Sequence, residues 1–250
     1  MLVKKPLIVI PARYASTRFP GKPLALIHGK PMIQHVYQRC REVCNQVVVA
    51  TDDDRIASAV KGFGGEYIMT SPDHQSGTDR CAEAVASYAS KADFNLVINV
   101  QGDEPFVEAT QLEKIIACFD DPSCEIATLV APISSSDVLF NSNKVKVVLS
   151  TKNYALYFSR QPIPFQRDVP SGEWLHTASY YLHIGMYAFK PEVLVAVTKL
   201  APSMLEQSEK LEQLRWLENG FSIKTAITQN ENTGIDTPDD LARICSMHIS

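Results

Sequence analysis

Arg13, Arg18 and Lys22 place three fixed cations within ten residues, and no acidic residue lies between them. Ser16 and Thr17 supply hydroxyls that can hydrogen-bond phosphate oxygens, and Gly21 lets backbone amides approach a ligand closely. Such a set suits a polyanion of the triphosphate kind. A surface loop with scattered bases would share the composition, but this loop directly follows residues 7–10, LIVI, the length of a strand buried on both faces. A strand opening into a glycine-containing cationic loop is how α/β proteins present a nucleotide at the carboxyl edge of a sheet. VQGDEP, residues 100–105, leaves a second apolar run in the same way, which puts Asp103 at the same edge as Lys22. Mg²⁺ takes carboxylate oxygens together with substrate oxygens, and one or two protein carboxylates suffice. An isolated aspartate after a strand can also cap a turn.

Five further segments could carry chemistry. SPDHQSGTDR, residues 71–80, leads into a helix. Gly77 and its dense donors and acceptors suit a base edge and a ribose; a polar helix entry capped by Thr78 or Asp79 fits as well. TGIDTPDDL, residues 233–241, is a turn with its N-cap at Asp236 or Thr237, Pro238 in the first helical turn, and acids that suit the helix dipole. Capping alone explains each of its residues. YALYFSRQPIP, residues 154–164, is apolar through Phe158 and ends in Arg160, whose planar fork fits a carboxylate bidentately. LHIGMYAF, residues 182–189, carries His183 and Tyr187, and a lone strand histidine is more often structural than catalytic. EKLEQLRWLENG, residues 209–220, spaces Leu211, Leu214 and Leu217 as one amphipathic packed helix.

The elements that must position these residues read as an α/β chain. Residues 47–50, 67–69, 96–100 and 126–130 are further strands, alternating with amphipathic helices such as the one that begins at Met32 and buries Ile33, Val36, Tyr37 and Cys40. That rhythm predicts βαβ units and a doubly wound, mostly parallel, Rossmann-like sheet. Asp52, Asp53 and Asp54 read as a helix cap and a solvated face. Beyond about Pro132 the rhythm changes, and strands at 145–149, 155–158, 183–189 and 222–227 mix with helices in a smaller α/β subdomain. The expected division is about 1–132 as a nucleotide-binding core, about 133–235 as an acceptor and oligomerisation subdomain, and 236–250 returning to the core, all within one domain of 250 residues. Apolar residues at 45%, charged residues at 21% and a net charge of −4 fit a globular protein with a local cationic site, and exclude a general binder of phosphate backbones. Lys4 and Lys5 precede an apolar run too short for a signal peptide or a membrane helix. Six cysteines lack metal or CxxC spacing, which points to reduced thiols and a cytoplasmic protein.

IPARYASTRFPGKPL resembles the N-terminal signature of the sugar-activating nucleotidyltransferases, roughly ARxxSxRxPGKxL. HQSGTDR, QGDEP, ALYFSR, the HxGxY in LHIGMY, LEQLR and the GxDTPxD turn are similar to segments of one branch, the CMP-Kdo synthetases, or 3-deoxy-manno-octulosonate cytidylyltransferases. The resemblance spans nearly the whole chain, with residues 165–181 its weakest stretch. It implies an Mg²⁺-dependent enzyme making CMP-Kdo and pyrophosphate from CTP and 3-deoxy-D-manno-octulosonate (Kdo) for lipopolysaccharide biosynthesis. It implies Ala12, Arg13, Ser16, Thr17, Lys22, Gln75, Ser76, Gly77, Arg80 and Gln101 as nucleotide contacts, and Arg13, Lys22, Asp103 and Asp236 as the catalytic set. Asp103 and Asp236 are the implied metal ligands. Arg160, His183, Gly185, Tyr187, Glu212 and Gln213 are the implied acceptor-sugar contacts. Relatives are homodimers, so a homodimer is expected, with no nucleic-acid partner. One departure is Leu182, where the family commonly carries Arg or Lys. The rival readings are activation of a related acid sugar, such as an 8-amino Kdo analogue or sialic acid, and a non-catalytic nucleotide-binding regulator. No GxGxxG follows the first strand, against a dinucleotide dehydrogenase.

Overall fold

The computed structural model describes residues 3–15, 19–229, 234, 235 and 237–246. The chain divides into two compact units, residues 1–113 with 232–250 and residues 114–231. In the first unit the apolar run after Lys5 becomes β1 (Pro6–Ala12), with Leu7, Ile8, Val9 and Ile10 fully buried. A two-stranded ribbon follows, β2 (Leu26–Ile27) and β3 (Lys30–Pro31), then α1 (Met32–Arg41), β4 (Val47–Thr51), α2 (Asp54–Gly62) and β5 (Tyr67–Met69). The unit continues with α3 (Gly77–Tyr88) and β6 (Leu96–Asn99), and the division between units falls inside α4 (Ala109–Ala117).

These strands run in the order β6-β1-β4-β5, all parallel, with Ile8 opposite both Val47 and Ile98. Strands without polar alternation need cover on both faces, and the helices supply it. From β1 the chain steps outward through α1 and α2 to β5, then returns past β1 through α3 to β6. Right-handed crossovers in opposite directions place their helices on opposite faces, which makes the sheet doubly wound. The reversal also leaves a crevice at the carboxyl ends of β1 and β6, the switch point where α/β sheets bind ligands.

The second unit contains β7 (Ile126–Pro132), α5 (Ser136–Phe140), β8 (Lys146–Leu149), β9 (Ala155–Ser159) and α6 (Trp174–Thr177). After them come β10 (Tyr181–Phe189), α7 (Pro191–Thr198), α8 (Met204–Glu209), α9 (Glu212–Glu218) and β11 (Ile223–Ile227). β7 pairs antiparallel with β10 and parallel with β11, while β8 joins β10 to β9 through antiparallel ladders. The last described element is α10 (Pro238–Ser246), which belongs to the first unit. There Ile244 packs with Ile27, Met32 and Ile235.

Two expectations are corrected. Residues 209–220 do not form one helix. α8 starts at a Ser203–Glu206 capping box and stops at Lys210, whose φ of 55° is left-handed; α9 begins at Glu212. The α3 cap is Ser76, whose hydroxyl accepts from the Asp79 amide while the Asp79 carboxylate accepts from the Ser76 amide, in place of Thr78 or Asp79. The Asp52–Asp54 reading holds for two of the three: Asp53 caps α2 and Asp54 is exposed, while Asp52 accepts from Arg80 at 3.0 Å. All six cysteines are free; five are buried and Cys245 is exposed. Among the described residues no helix is long and apolar enough to cross a membrane.

Ile8 lies at the centre of the first sheet with no exposed surface. Ile8→Ala is expected to destabilise the protein by about 2–5 kcal/mol. Chemical denaturation checks this, and a loss under ~1 kcal/mol would show that the centre of the sheet repacks freely.

Candidate functional site

At the crevice between the ends of β1 and β6 lies a cleft of about 250 Å³. It brings together Ala12 and Arg13 from the β1 exit, Lys22, the α3 entry residues Gln75, Ser76, Gly77 and Arg80, and Gln101 and Asp103 from the β6 exit. Ser16, Thr17 and Asp236 lie outside the described residues. The cationic loop leaves β1 at Arg13, which is exposed, and closes where the Gly21 amide donates to the Tyr14 carbonyl (2.9 Å). Gly21 has φ 72°, and a Cβ there would stand 3.0 Å from the Tyr14 ring. The Arg55 guanidinium lies over that ring, 3.3 Å from its centroid, and Asp53 holds Arg55 at 2.6 Å. This stack secures the ends of the loop that presents Arg13 and Lys22.

Lys22 Nζ donates to Asp103 Oδ2 at 2.5 Å across the cleft. Their approach depends on Gly102, because a Cβ there would lie 2.9 Å from the Pro11 carbonyl oxygen. The pair sets a cation and a carboxylate side by side, with Asp103 partly open to solvent. A single carboxylate in an open cleft fits a hard cation that shares its shell with substrate oxygens better than one caged by protein. Among the described residues there is no cluster of three His, Cys, Asp or Glu side chains. The Ile235 amide donates to the Asp103 carbonyl at 3.2 Å, tying the chain just before Asp236 to this loop.

Arg80 is spent differently from a free base contact. It is buried, and its Nη1 donates to Thr70 Oγ1 (2.5 Å) while Nη2 donates to Asp52 Oδ2 (3.0 Å). It thereby braces the exits of β4 and β5 behind the cleft. Ser76 commits its hydroxyl to the cap, and Gln75 Nε2 donates to the Asp73 carbonyl (2.8 Å). The sequence reading missed four lining residues, Pro11, Pro23, His74 and Gly102. His74 is bonded through Nε2 to Glu83, whose carboxyl is held below its ordinary range by the Ser71 amide and by His74.

The residues expected at an acceptor sugar lie in the second unit. Arg160 follows β9 and donates Nε to the Glu209 carbonyl (2.6 Å), Nη1 to the Ser142 carbonyl (3.1 Å) and Nη2 to the Lys210 carbonyl (3.4 Å). Three of its five N–H groups are thus committed. His183, Gly185 and Tyr187 sit on β10, where the register against β7 shifts between Ile184 and Tyr187. Thr128 on β7 repairs that bulge: its hydroxyl lies 2.8 Å from the Met186 carbonyl and 3.0 Å from His183 Nε2. A hydroxyl has one proton, so donation to Met186 requires the histidine to carry its proton on Nε2. The His183 ring is also flanked by Phe158 and Tyr187, and desolvation pushes its pKa down to about 3. Tyr187 is buried with its hydroxyl unpartnered, as is the Trp216 indole N–H beside it. Burial, with Glu212 adding to it, raises the tyrosine well above its ordinary value. Glu212 Oε1 accepts from Arg215 (2.9 Å), Gln213 is buried, and Leu182 packs inward at 3% exposure.

The Cytidylyltransferase family profile matches residues 7–226. The 3-deoxy-manno-octulosonate cytidylyltransferase of Phocaeicola vulgatus is 54% identical over 94% of this chain and 94% of its own. The enzyme of the same description from Bacteroides thetaiotaomicron is 54% identical over 93% of this chain and 94% of its own. A solved structure of CMP:2-keto-3-deoxy-manno-octonic acid synthetase complexed with CTP superposes with a TM-score of 0.89 at 44% identity, covering 97% of this chain and 98% of the other. The chain belongs to the 3-deoxy-manno-octulosonate cytidylyltransferase family.

The His183 environment has a consequence for acid stability. Its folded pKa of about 3 lies below the ordinary 6.5, so between these values the unfolded chain binds the extra proton. His183 should therefore cost stability progressively as pH falls through that window, and its NMR signals should not titrate between about pH 5 and 8. A His183 titration near pH 6.5 would contradict the packing described.

Proposed function

We propose that this chain transfers CMP from CTP to the anomeric hydroxyl of Kdo, activating the sugar for lipopolysaccharide biosynthesis. The hydroxyl oxygen attacks the α-phosphorus in line and gives up its proton to solvent, the bond from that phosphorus to the bridging oxygen breaks, and pyrophosphate leaves. The observation that carries this reading is the Lys22–Asp103 pair in a cleft at the β1/β6 switch point, with Arg13 at its mouth. Displacement at phosphorus asks a protein mainly for positioning and charge neutralisation. Arg13 and Lys22 offset the triphosphate charge. Ala12, Gln75, Ser76, Gly77 and Gln101 line the space for base and ribose, with Arg80 as the brace behind them; Ser16 and Thr17 are proposed as further contacts on resemblance alone. Asp103 and Asp236 would hold Mg²⁺. When bound, the ion supplies Lewis-acid polarisation of the attacking hydroxyl and the α-phosphate.

On the acceptor side, Arg160 keeps two N–H groups outside its three carbonyl bonds, enough for the Kdo carboxylate. His183, held as the Nε2–H tautomer, offers Nδ1 as an acceptor for a sugar hydroxyl, and Tyr187 offers its unpartnered hydroxyl. Gly185, Glu212 and Gln213 complete the proposed acceptor set. The free cysteines support a cytoplasmic enzyme. A homodimer is also proposed. Phe140 and Phe165 flank Trp174 while staying 46% and 75% exposed, an aromatic patch of the kind that subunits cover.

Three measurements test this reading. Pyrophosphate release should occur with CTP plus Kdo, fail without Kdo, and fail with ATP or GTP. Asp103→Asn should lower turnover by ~100-fold or more while leaving the fold intact, and unchanged turnover would remove Asp103 from the machinery. On the acceptor side, Arg160→Ala should raise the KM for Kdo by about 30-fold or more, the equivalent of ~2 kcal/mol, with little change for CTP. Arg160→Lys, which keeps the charge, should recover part of the loss. A rise in the CTP KM alone would move Arg160 to the nucleotide side.

A further inference from the structure

Lys146 on β8 is a charged residue with no exposed surface, and the proposed chemistry does not use it. Its Nζ reaches three main-chain carbonyls, those of Asn141 (2.9 Å), Lys144 (2.5 Å) and Arg160. An ammonium has three N–H donors, so the three acceptors consume all of them. All three contacts bear on Arg160. One holds its own peptide carbonyl. The other two close the loop 141–144, whose Ser142 carbonyl accepts from Arg160 Nη1 (3.1 Å). Glu209 completes the frame from α8: its carboxylate accepts from the Arg160 amide (2.9 Å) and from Ser159 Oγ (2.6 Å), and its carbonyl accepts from Arg160 Nε.

We propose that Lys146 is a positioning residue for the acceptor subsite, fixing through its three carbonyls the direction in which Arg160 presents its two remaining N–H groups. The proposal rests on the acceptor reading of Arg160. It requires the ammonium form. A neutral amine has two protons and a lone pair, which would confront the third carbonyl and release one arm of the frame. Burial pushes the Lys146 pKa down to about 8; among its charged neighbours, Arg160 also lowers it and Glu209 opposes the shift. The frame is therefore complete below about pH 8 and loosens above it.

The test is steady-state kinetics on purified wild type, Lys146→Met and Arg160→Ala, with KM for Kdo and for CTP measured separately from about pH 6.5 to about pH 9.5. Misplacing a clamp by a fraction of an ångström to an ångström costs on the order of 10- to 100-fold. Lys146→Met should raise the KM for Kdo by that factor and leave the KM for CTP within about twofold. In wild type the KM for Kdo should be flat below about pH 8 and climb above it, and the variant should lack that break. If Arg160→Ala raises the KM for Kdo and a folded Lys146→Met does not, the positioning role is wrong and the acceptor reading stands. If neither variant moves it, both fall. Should Lys146→Met fail to fold by circular dichroism, the wild-type profile decides: a KM for Kdo that stays level through pH 9.5 overturns the proposal.

Discussion

The cleft depends on how closely the chain leaving β6 can pass the chain leaving β1. Gly102 runs against the Pro11 carbonyl with no room for a side-chain carbon, and the next residue, Asp103, meets Lys22 at 2.5 Å. The parallel pairing of β1 with β6 brings the two exits to one edge, and the missing Cβ brings them within hydrogen-bond range. Arg80 ties the neighbouring exits of β4 and β5 together through Thr70 and Asp52, so a second pair of strand exits is held by side chains. The result is a preorganised edge, which is what a reaction driven by charge neutralisation needs.

In the second unit the ordering principle is different. Main-chain carbonyls, not side-chain carboxylates, take up most of the cationic donors. Arg160 and Lys146 together engage the carbonyls of Asn141, Ser142, Lys144, Arg160, Glu209 and Lys210. Such bonds orient a guanidinium without neutralising it, so its charge stays available to an anion. Thr128 works in the same way on β10, where one hydroxyl stitches the bulge and sets the tautomer of His183.

The strands of the first sheet were legible because they are uninterrupted apolar runs of strand length, and the cleft was legible because its residues cluster in short segments directly after those runs. What escaped the sequence was set by pairs far apart in the chain or by a single backbone angle. Leu211, Leu214 and Leu217 keep a helical period, and nothing in that period announces the left-handed Lys210 that breaks the helix. The Ser203–Glu206 spacing did carry the start of α8, as a capping box. The partners of Arg80 lie 10 and 28 residues away, and Arg55 reaches the loop residue Tyr14 from α2, so neither contact has a local signature. The steric role of Gly102 likewise depends on Pro11, which only the folded sheet brings beside it.

The distribution of thiols gives this chain a practical property. Cys124 is pushed up to about 12 by burial and by Cys118 and Asp121 nearby, and burial raises Cys40 and Cys44 as well. Cys81 and Cys118 are also shielded from solvent. Electrophiles react with accessible thiolates, so alkylating reagents will discriminate sharply among the six. Cys245, exposed on α10, is the one sulfur that a maleimide dye meets under mild conditions. The unmodified protein thus carries a single-site attachment point on the helix whose Ile244 packs against Ile27 and Met32, ready for fluorescence reporting from that helix with no cysteine removed.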